Sequence, residues 1–165
     1  MPHPEPFRRA LRLCAALVLA GALAPALSLA APEPLPDDAR VIFLHHSTGW
    51  VIWEGGVPAW FSAYNAEQGT GYVVTELGYP GGSDYPWENY PYDYWNLWVN
   101  HAGTVPYLGQ ATLEIFTTQY DVIVFKHCFP VCNIEADAGE PDVTSSTKTL
   151  GNYKAQYDAL KAKLL

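Results

Sequence analysis

Ser47 and Asn133 each follow a run of β-forming residues, at 41–44 and 121–126. A serine becomes a nucleophile when a base takes its proton, and the oxyanion that its attack creates needs N–H donors. The Ser47 N–H, a glycine N–H from the segment 78–82 and the Asn133 amide are suitable donors. Taken singly, Ser and Asn more often cap helices and turns. Their shared position after a strand favours acyl transfer chemistry.

Three apolar runs predict the strands that position these residues, at 41–44, 72–77 and 121–126. Continuous apolar runs are typical of strands covered on both faces in a parallel sheet. Apolar residues at helical spacing predict helices at 57–68, 108–119 and 150–164, and residues 128–147 are predicted to form a loop. The alternation predicts an α/β domain whose loops meet at the carboxyl edge of the strands, where such sheets place active sites.

Residues 79–98 include eight aromatic side chains in twenty positions, interleaved with three prolines. The prolines exclude a long helix or a central strand. The segment is either a packed flap over the edge of the sheet or a platform on which sugar rings stack, using Trp87, Trp95 and Trp98. We expect packing first. The platform keeps open an alternative function, a non-catalytic carbohydrate-binding module, and a protein without ligand is a third interpretation.

The segments VIFLHHSTG, GYPGGSD and DVIVFKHCFPVCNI resemble the first three sequence blocks of SGNH (GDSL-like) hydrolases over residues 40–165. The resemblance implies a flavodoxin-like three-layer fold and a secreted esterase or deacetylase that works through an acyl-serine intermediate. It also implies Ser47 as nucleophile, with Ser47, Gly82 (or Gly81) and Asn133 as oxyanion-hole donors. The expected substrate is a small-molecule or carbohydrate ester.

The fourth block of that family, Asp-x-x-His, supplies its acid and base, and no such motif follows the third predicted strand. The family's sheet has strand order 2-1-3-4-5, so we expect only the first three strands here and a chain that is incomplete and inactive alone. No histidine follows His127, which makes His127 the available surrogate base. The alternative is that His127 is a hydrogen-bonded histidine of the loop.

The first thirty residues predict a secretory signal peptide, because three arginines precede an apolar run that ends in Ser28-Leu29-Ala30. Residues 31–39 form a Pro-rich linker and residues 40–165 form the domain. The predicted location is secreted or periplasmic, with no membrane contact after cleavage. An uncleaved anchor followed by a stalk is the alternative.

The chain has a formal net charge of −8, and removing residues 1–30 leaves six basic and sixteen acidic residues, a net charge of −10. Such an acidic surface argues against nucleic-acid binding. We expect no cofactor and no metal, because Cys128, Cys132 and His127 lack a second ligand pair and the adjacent His45 and His46 face opposite ways. Export permits a disulfide between Cys128 and Cys132.

Overall fold

The computed structural model describes residues 34–165. The predicted signal peptide and residues 31–33 of the linker lie outside the described residues. In chain order the elements are β1 (Arg40–His45), α1 (Thr48–Glu54), α2 (Val57–Gln68), β2 (Val73–Gly78), α3 (Pro91–Trp95), a π-helical turn (Asn96–Asn100), α4 (Leu113–Thr117), β3 (Val122–Phe125), a 3₁₀ helix (Phe129–Cys132) and α5 (Leu150–Leu164).

The three strands form one parallel sheet in the order β2-β1-β3, with β1 in the centre. Leu44 of β1 lies opposite Leu77 of β2 and Phe125 of β3. The predicted α/β class and parallel sheet are therefore confirmed. Within residues 34–165 the outer edges of β2 and β3 have no partner strand.

One face of the sheet carries the hydrophobic core. Ile42 and Leu44 are 2% and 0% exposed, and they belong to one buried cluster with the aromatic residues of segment 79–98. The buried polar atoms of these aromatic rings find partners: the Trp98 indole N–H donates to the Tyr79 hydroxyl at 2.8 Å, and that hydroxyl donates to the Ala111 carbonyl at 2.7 Å. The segment is thus part of the core.

The other face of the sheet is only partly covered, so the prediction of strands buried on both faces is wrong there. Val41 and Phe43 are half-buried, and Val124, in register with Phe43, is 46% exposed. An apolar groove lies between these side chains and residues of α1 and α2, including Ile52 and Phe61. These two helices leave the edge strand β3 incompletely covered.

The helix predicted at 108–119 is shorter than expected and spans Leu113–Thr117. Leu108 and Gly109 both adopt left-handed backbone conformations, with φ of 46° and 74°, which a helix cannot accommodate. Thr112 then caps the helix, because its hydroxyl accepts the Ile115 N–H at 3.4 Å. The predicted loop after Cys128 likewise contains the short 3₁₀ helix.

The helices predicted at 57–68 and 150–164 are confirmed with the same bounds. Gly69 ends α2 in a left-handed conformation, with φ of 70°. The Thr149 hydroxyl caps α5 by accepting the Asn152 N–H at 3.2 Å, and Tyr153 and Leu160 are the apolar side chains that α5 buries. No helix in residues 34–165 has the length and apolar character needed to cross a membrane.

Candidate functional site at the carboxyl edge of the sheet

Ser47 lies in the turn that joins β1 to α1 and adopts φ 50° and ψ −114°. A residue other than glycine held in such a conformation costs about 1–3 kcal/mol, and strain of this kind concentrates at functional sites. Ser47 occupies the N-cap position of α1, and its carbonyl accepts the Trp50 N–H at 2.9 Å, but its side chain is exposed and makes no capping bond. A strained turn from strand to helix that exposes a serine hydroxyl is how α/β hydrolases present their nucleophile.

Lys126 bridges the two residues that flank Ser47. Its ammonium Nζ donates to the His46 carbonyl at 3.0 Å and to the Thr48 hydroxyl at 2.9 Å. Lys126 directly follows β3, and its backbone N–H donates to the Leu44 carbonyl at 3.2 Å. The loop after β3 therefore reaches across the end of β1 and places a positive charge beside the serine.

His46 connects the same turn to the loop after β2. Its Nε2 donates to the Pro80 carbonyl, and its ring stacks on Trp87 with centroids 3.8 Å apart. The Trp87 indole N–H in turn donates to the Gly82 carbonyl at 3.3 Å. Burial lowers the pKa of His46, and the nearby His45 and Lys126 lower it further, although the bond to Pro80 opposes them. His46 thus joins two loops and is not free to act as a base through Nε2.

Of Gly81 and Gly82, the two glycines that the resemblance implies as backbone donors, only Gly82 has an unbonded N–H among the described residues. The Gly81 N–H donates to the Gln110 side-chain oxygen at 2.8 Å, and the Gln110 amide donates back to the Gly81 carbonyl at 2.6 Å. Gly82 is exposed, has φ of 76°, and its N–H has no partner among the described residues. A left-handed φ is open to glycine without strain, which explains the residue type.

Asn133 follows the 3₁₀ helix, on the loop after β3. Its backbone N–H donates to the Pro130 carbonyl at 3.1 Å, while its exposed side-chain amide is unbonded in the described part of the chain. Ser47, Gly82 and Asn133 therefore lie on the loops after β1, β2 and β3. Since the strands are parallel, all three loops are at one edge of the sheet.

His45 is buried beneath this edge, and its Nε2 contacts the Glu76 carboxylate of β2 at 2.8 Å. Its Nδ1 is buried without a hydrogen-bond partner within residues 34–165. Because His45 and His46 bond to different partners, they do not converge on a shared ion. A Cβ added to Gly49 would lie 2.4 Å from the His45 ring, so only glycine fits there.

His127, the predicted surrogate base, packs edge-on against Tyr94 and against Tyr157, with centroids 5.0 Å and 5.6 Å away. Neither ring nitrogen has a hydrogen-bond partner among the described residues. Burial lowers the pKa of His127 to about 4, and the charge of Lys126 acts in the same direction. The histidine is therefore neutral near pH 7, but it is not bonded to Ser47 and not a hydrogen-bonded loop histidine.

The packing that we expect first for segment 79–98 is confirmed for Trp95 and Trp98, and the alternative, a sugar platform of three tryptophans, is wrong for these two. Trp95 and Trp98 are 6% and 1% exposed and belong to the core, because the segment packs its rings against β1 and α4. Trp87 is the only one of the three outside the buried class: it is half-buried and lies next to His46. A sugar ring could contact Trp87 alone among the three.

The two cysteines of the domain are free thiols, with Cys128 buried and Cys132 exposed. Cys128 is extended, with φ −80° and ψ 164°, and Cys132 is the last residue of the 3₁₀ helix Phe129–Cys132. The disulfide that export would permit between Cys128 and Cys132 is absent from the structure.

The contacts of Lys126 with the Ser47 turn and of Trp87 with His46 were not predicted from the sequence. A lysine directly after a buried strand was a usable signal, because it had to lie at the carboxyl edge. No local pattern predicts the pairing of His46 with Trp87, because the two residues are 41 positions apart in sequence.

No family model, no curated protein and no solved structure matches this chain.

Proposed function

We propose that this chain carries the nucleophile and the oxyanion-hole donors of a secreted or periplasmic serine hydrolase that resembles the SGNH family. The observation that carries the proposal is the conformation of Ser47: an exposed serine held at φ 50° immediately after the central strand of a parallel sheet. The order β2-β1-β3 is what a flavodoxin-like fold of that family implies for its first three strands, and it supports the proposal.

In the proposed reaction the Ser47 Oγ forms a bond to the carbonyl carbon of an ester. The negative charge that develops on the carbonyl oxygen is stabilised by the N–H groups of Ser47 and Gly82 and by the Asn133 amide. When the intermediate collapses, the carbon–alkoxide bond breaks, and the alcohol leaves with the proton that Ser47 gave up. Water then hydrolyses the acyl-serine and frees the acid.

The step that these residues do not provide is the proton transfer. Within residues 34–165 none of the four histidines is bonded to Ser47. The Nε2 of His45 contacts Glu76, and that of His46 bonds Pro80. His101 stacks on Tyr107, and His127 packs between aromatic rings. The 165 residues also contain no Asp-x-x-His after β3. We therefore propose that this chain alone turns over esters slowly at neutral pH, and that its serine reacts when a base is supplied from outside.

A fluorophosphonate probe tests the nucleophile directly. At a pH near 9, where hydroxide can act as the base, we expect one adduct, and tandem mass spectrometry should locate it at Ser47. Ser62, an exposed serine on α2, is the internal control and should remain unmodified. Equal labelling of the wild type and Ser47→Ala would refute the proposal.

Ester turnover tests the missing base. We expect little Ser47-dependent release of p-nitrophenol from an acetyl ester at pH 7, and a clear increase when imidazole is added. The Ser47→Ala variant measures the background that imidazole produces unaided. Fast release without imidazole, abolished by Ser47→Ala, would show instead that the chain holds its own base.

The binding-module alternative loses support because two of its three tryptophans are in the core. It still predicts a distinct result: Trp87→Ala would weaken binding of an acylated glycan while Ser47→Ala would leave it unchanged. The proposed hydrolase acts on an ester, and an acyl group on a carbohydrate fits the partly exposed indole ring of Trp87, which stacks on His46 beside Ser47.

A further inference from the structure

Two hydrogen bonds hold the Lys126 ammonium against the turn after β1, although Lys126 itself follows β3. Its side chain is half-buried, and two of the three N–H donors of its ammonium are used, on the His46 carbonyl and the Thr48 hydroxyl. Neither acceptor is a carboxylate, and no acidic side chain forms an ion pair with Lys126 in the described part of the chain. The positive charge is therefore not neutralised by a partner.

The two contacts lie on either side of the strained residue. Ser47 keeps φ 50° although an unstrained conformation would be lower in energy, so the neighbouring contacts must hold it in place. The bonds from Lys126 fix the residue before Ser47 and the residue after it. They tie the turn to β3, which pairs with β1 in register and is part of the sheet.

The positive charge of Lys126 also suits the proposed reaction of Ser47. Attack by Ser47 creates negative charge first on its own oxygen and then on the carbonyl oxygen of the substrate. Two neighbouring histidines already respond to the ammonium, because it contributes to lowering the pKa of His46 and of His127. An ammonium bonded to both neighbours of the nucleophile is well placed to stabilise that charge.

We propose that Lys126 is the positioning residue of the nucleophile: it holds the Ser47 turn in its strained conformation and supplies the positive charge that favours attack. This inference rests on the proposed function of Ser47 as a nucleophile. The resemblance to a hydrolase family does not include this lysine among the residues that it implies.

The rate of fluorophosphonate labelling at Ser47 tests the inference in three variants. Lys126→Met keeps the length of the side chain but removes the donors and the charge, and we expect labelling to slow by at least about tenfold. Lys126→Arg keeps both and should restore most of the rate. Lys154→Met, which changes an exposed lysine on α5, is the matched control and should label at the wild-type rate.

Amide hydrogen exchange gives a second readout that does not depend on reactivity. The Gly49 N–H donates to the His46 carbonyl at 3.0 Å and the Trp50 N–H to the Ser47 carbonyl at 2.9 Å. If Lys126 holds the turn, both amides should exchange at least about tenfold faster in Lys126→Met and at the wild-type rate in Lys126→Arg. Exchange of the amides in α5 should stay unchanged and show that the variant is folded.

The two readouts separate the inference from the proposed function. Faster exchange in Lys126→Met, with no labelling of Ser47 in any variant, would support the role of Lys126 in the turn and refute the nucleophile. Wild-type labelling and wild-type exchange in a folded Lys126→Met would refute the role of Lys126 and leave the nucleophile standing. Equally slow labelling in Lys126→Met and Lys126→Arg would refute the role of the charge.

Discussion

His46 and Trp87 stack face to face, with ring centroids 3.8 Å apart and ring planes 9° apart. The contact joins the residue before the proposed nucleophile to the loop that carries Gly82, since the Trp87 indole also donates to the Gly82 carbonyl. One aromatic side chain thus holds two of the three loops of the site in a fixed relation.

Replacing Trp87 by alanine should therefore separate the two loops. We expect a loss of about 1 kcal/mol from the free energy of unfolding, for the lost ring contact, and slower labelling of Ser47 by a fluorophosphonate. Urea denaturation and mass spectrometry measure the two effects. Trp60→Ala removes an exposed ring from α2 and should leave labelling unchanged; an equal loss of labelling in both variants would contradict the link.

Gly49→Ala should destabilise the protein, because the new methyl group would lie 2.4 Å from the buried ring of His45. That ring is held by Glu76 and cannot move aside, so we expect a cost of about 1–3 kcal/mol, measured by urea denaturation. Gly71→Ala is the control, since its added Cβ would meet nothing closer than 3.8 Å. Equal midpoints for the two variants would show that the contact is not tight.

Ser47→Gly should stabilise the fold while abolishing labelling. Glycine adopts φ 50° without the steric penalty that serine pays, so we expect a gain of about 1 kcal/mol relative to Ser47→Ala, which also lacks the hydroxyl. The comparison of the two variants by urea denaturation isolates backbone strain from the loss of the side chain. A more stable alanine variant would mean that the turn is not strained.

The contribution of Asp93 to the free energy of unfolding falls as pH rises. The carboxylate is 1% exposed and accepts the Glu88 N–H at 3.0 Å, and burial raises its pKa to about 6. Because the folded pKa lies above the usual 3.8, its contribution is most favourable below that value and is lost as pH rises towards 6. The loss amounts to about 3 kcal/mol. Asp93→Asn should remove it, which urea denaturation at pH 4 and pH 7 would measure.

The contribution of His127 to the free energy of unfolding has the opposite pH dependence. Its folded pKa of about 4 lies below the usual 6.5, so its contribution is complete above 6.5 and is lost as pH falls towards 4. His127→Phe should abolish this loss and raise stability, because both buried nitrogens lack partners in residues 34–165. The two contributions oppose each other, so the free energy of unfolding of the wild type should vary little between pH 4 and pH 6. It should rise with pH in Asp93→Asn and fall with pH in His127→Phe. Parallel slopes in the two variants would contradict both assignments.

The elements with regular patterns could be predicted from the sequence. The helices α2 and α5 have the predicted bounds, and both ends of all three observed strands lie within one residue of the prediction. Apolar spacing carries this information because burial on one side of a helix, or within a sheet, repeats along the chain. The helix predicted at 108–119 begins only at Leu113, because Leu108 and Gly109 have left-handed backbone conformations that apolar spacing does not reveal.

The site could be predicted only in part. Ser47, Gly82 and Asn133 were placed correctly on the loops after the three strands because the strand ends themselves are visible in the sequence. Packing of the aromatic segment was the first expectation, and the burial of Trp95 and Trp98 agrees with it. Composition could not show which of the three tryptophans stays partly exposed, because an aromatic residue suits both a core and a sugar site. The contacts of Lys126 with the Ser47 turn span about eighty residues and depend on the order of the strands.

The bond from Lys126 to the Ser47 turn also sets an order of events during synthesis. The strands β1 and β2 can pair once residue 78 has left the ribosome, but the turn lacks its anchor until β3 and Lys126 follow. We therefore expect nascent chains that end before Lys126 to present Ser47 in a relaxed and unreactive turn. Stalled ribosomal complexes of increasing length, treated with a fluorophosphonate, would show the chain length at which Ser47 is first labelled.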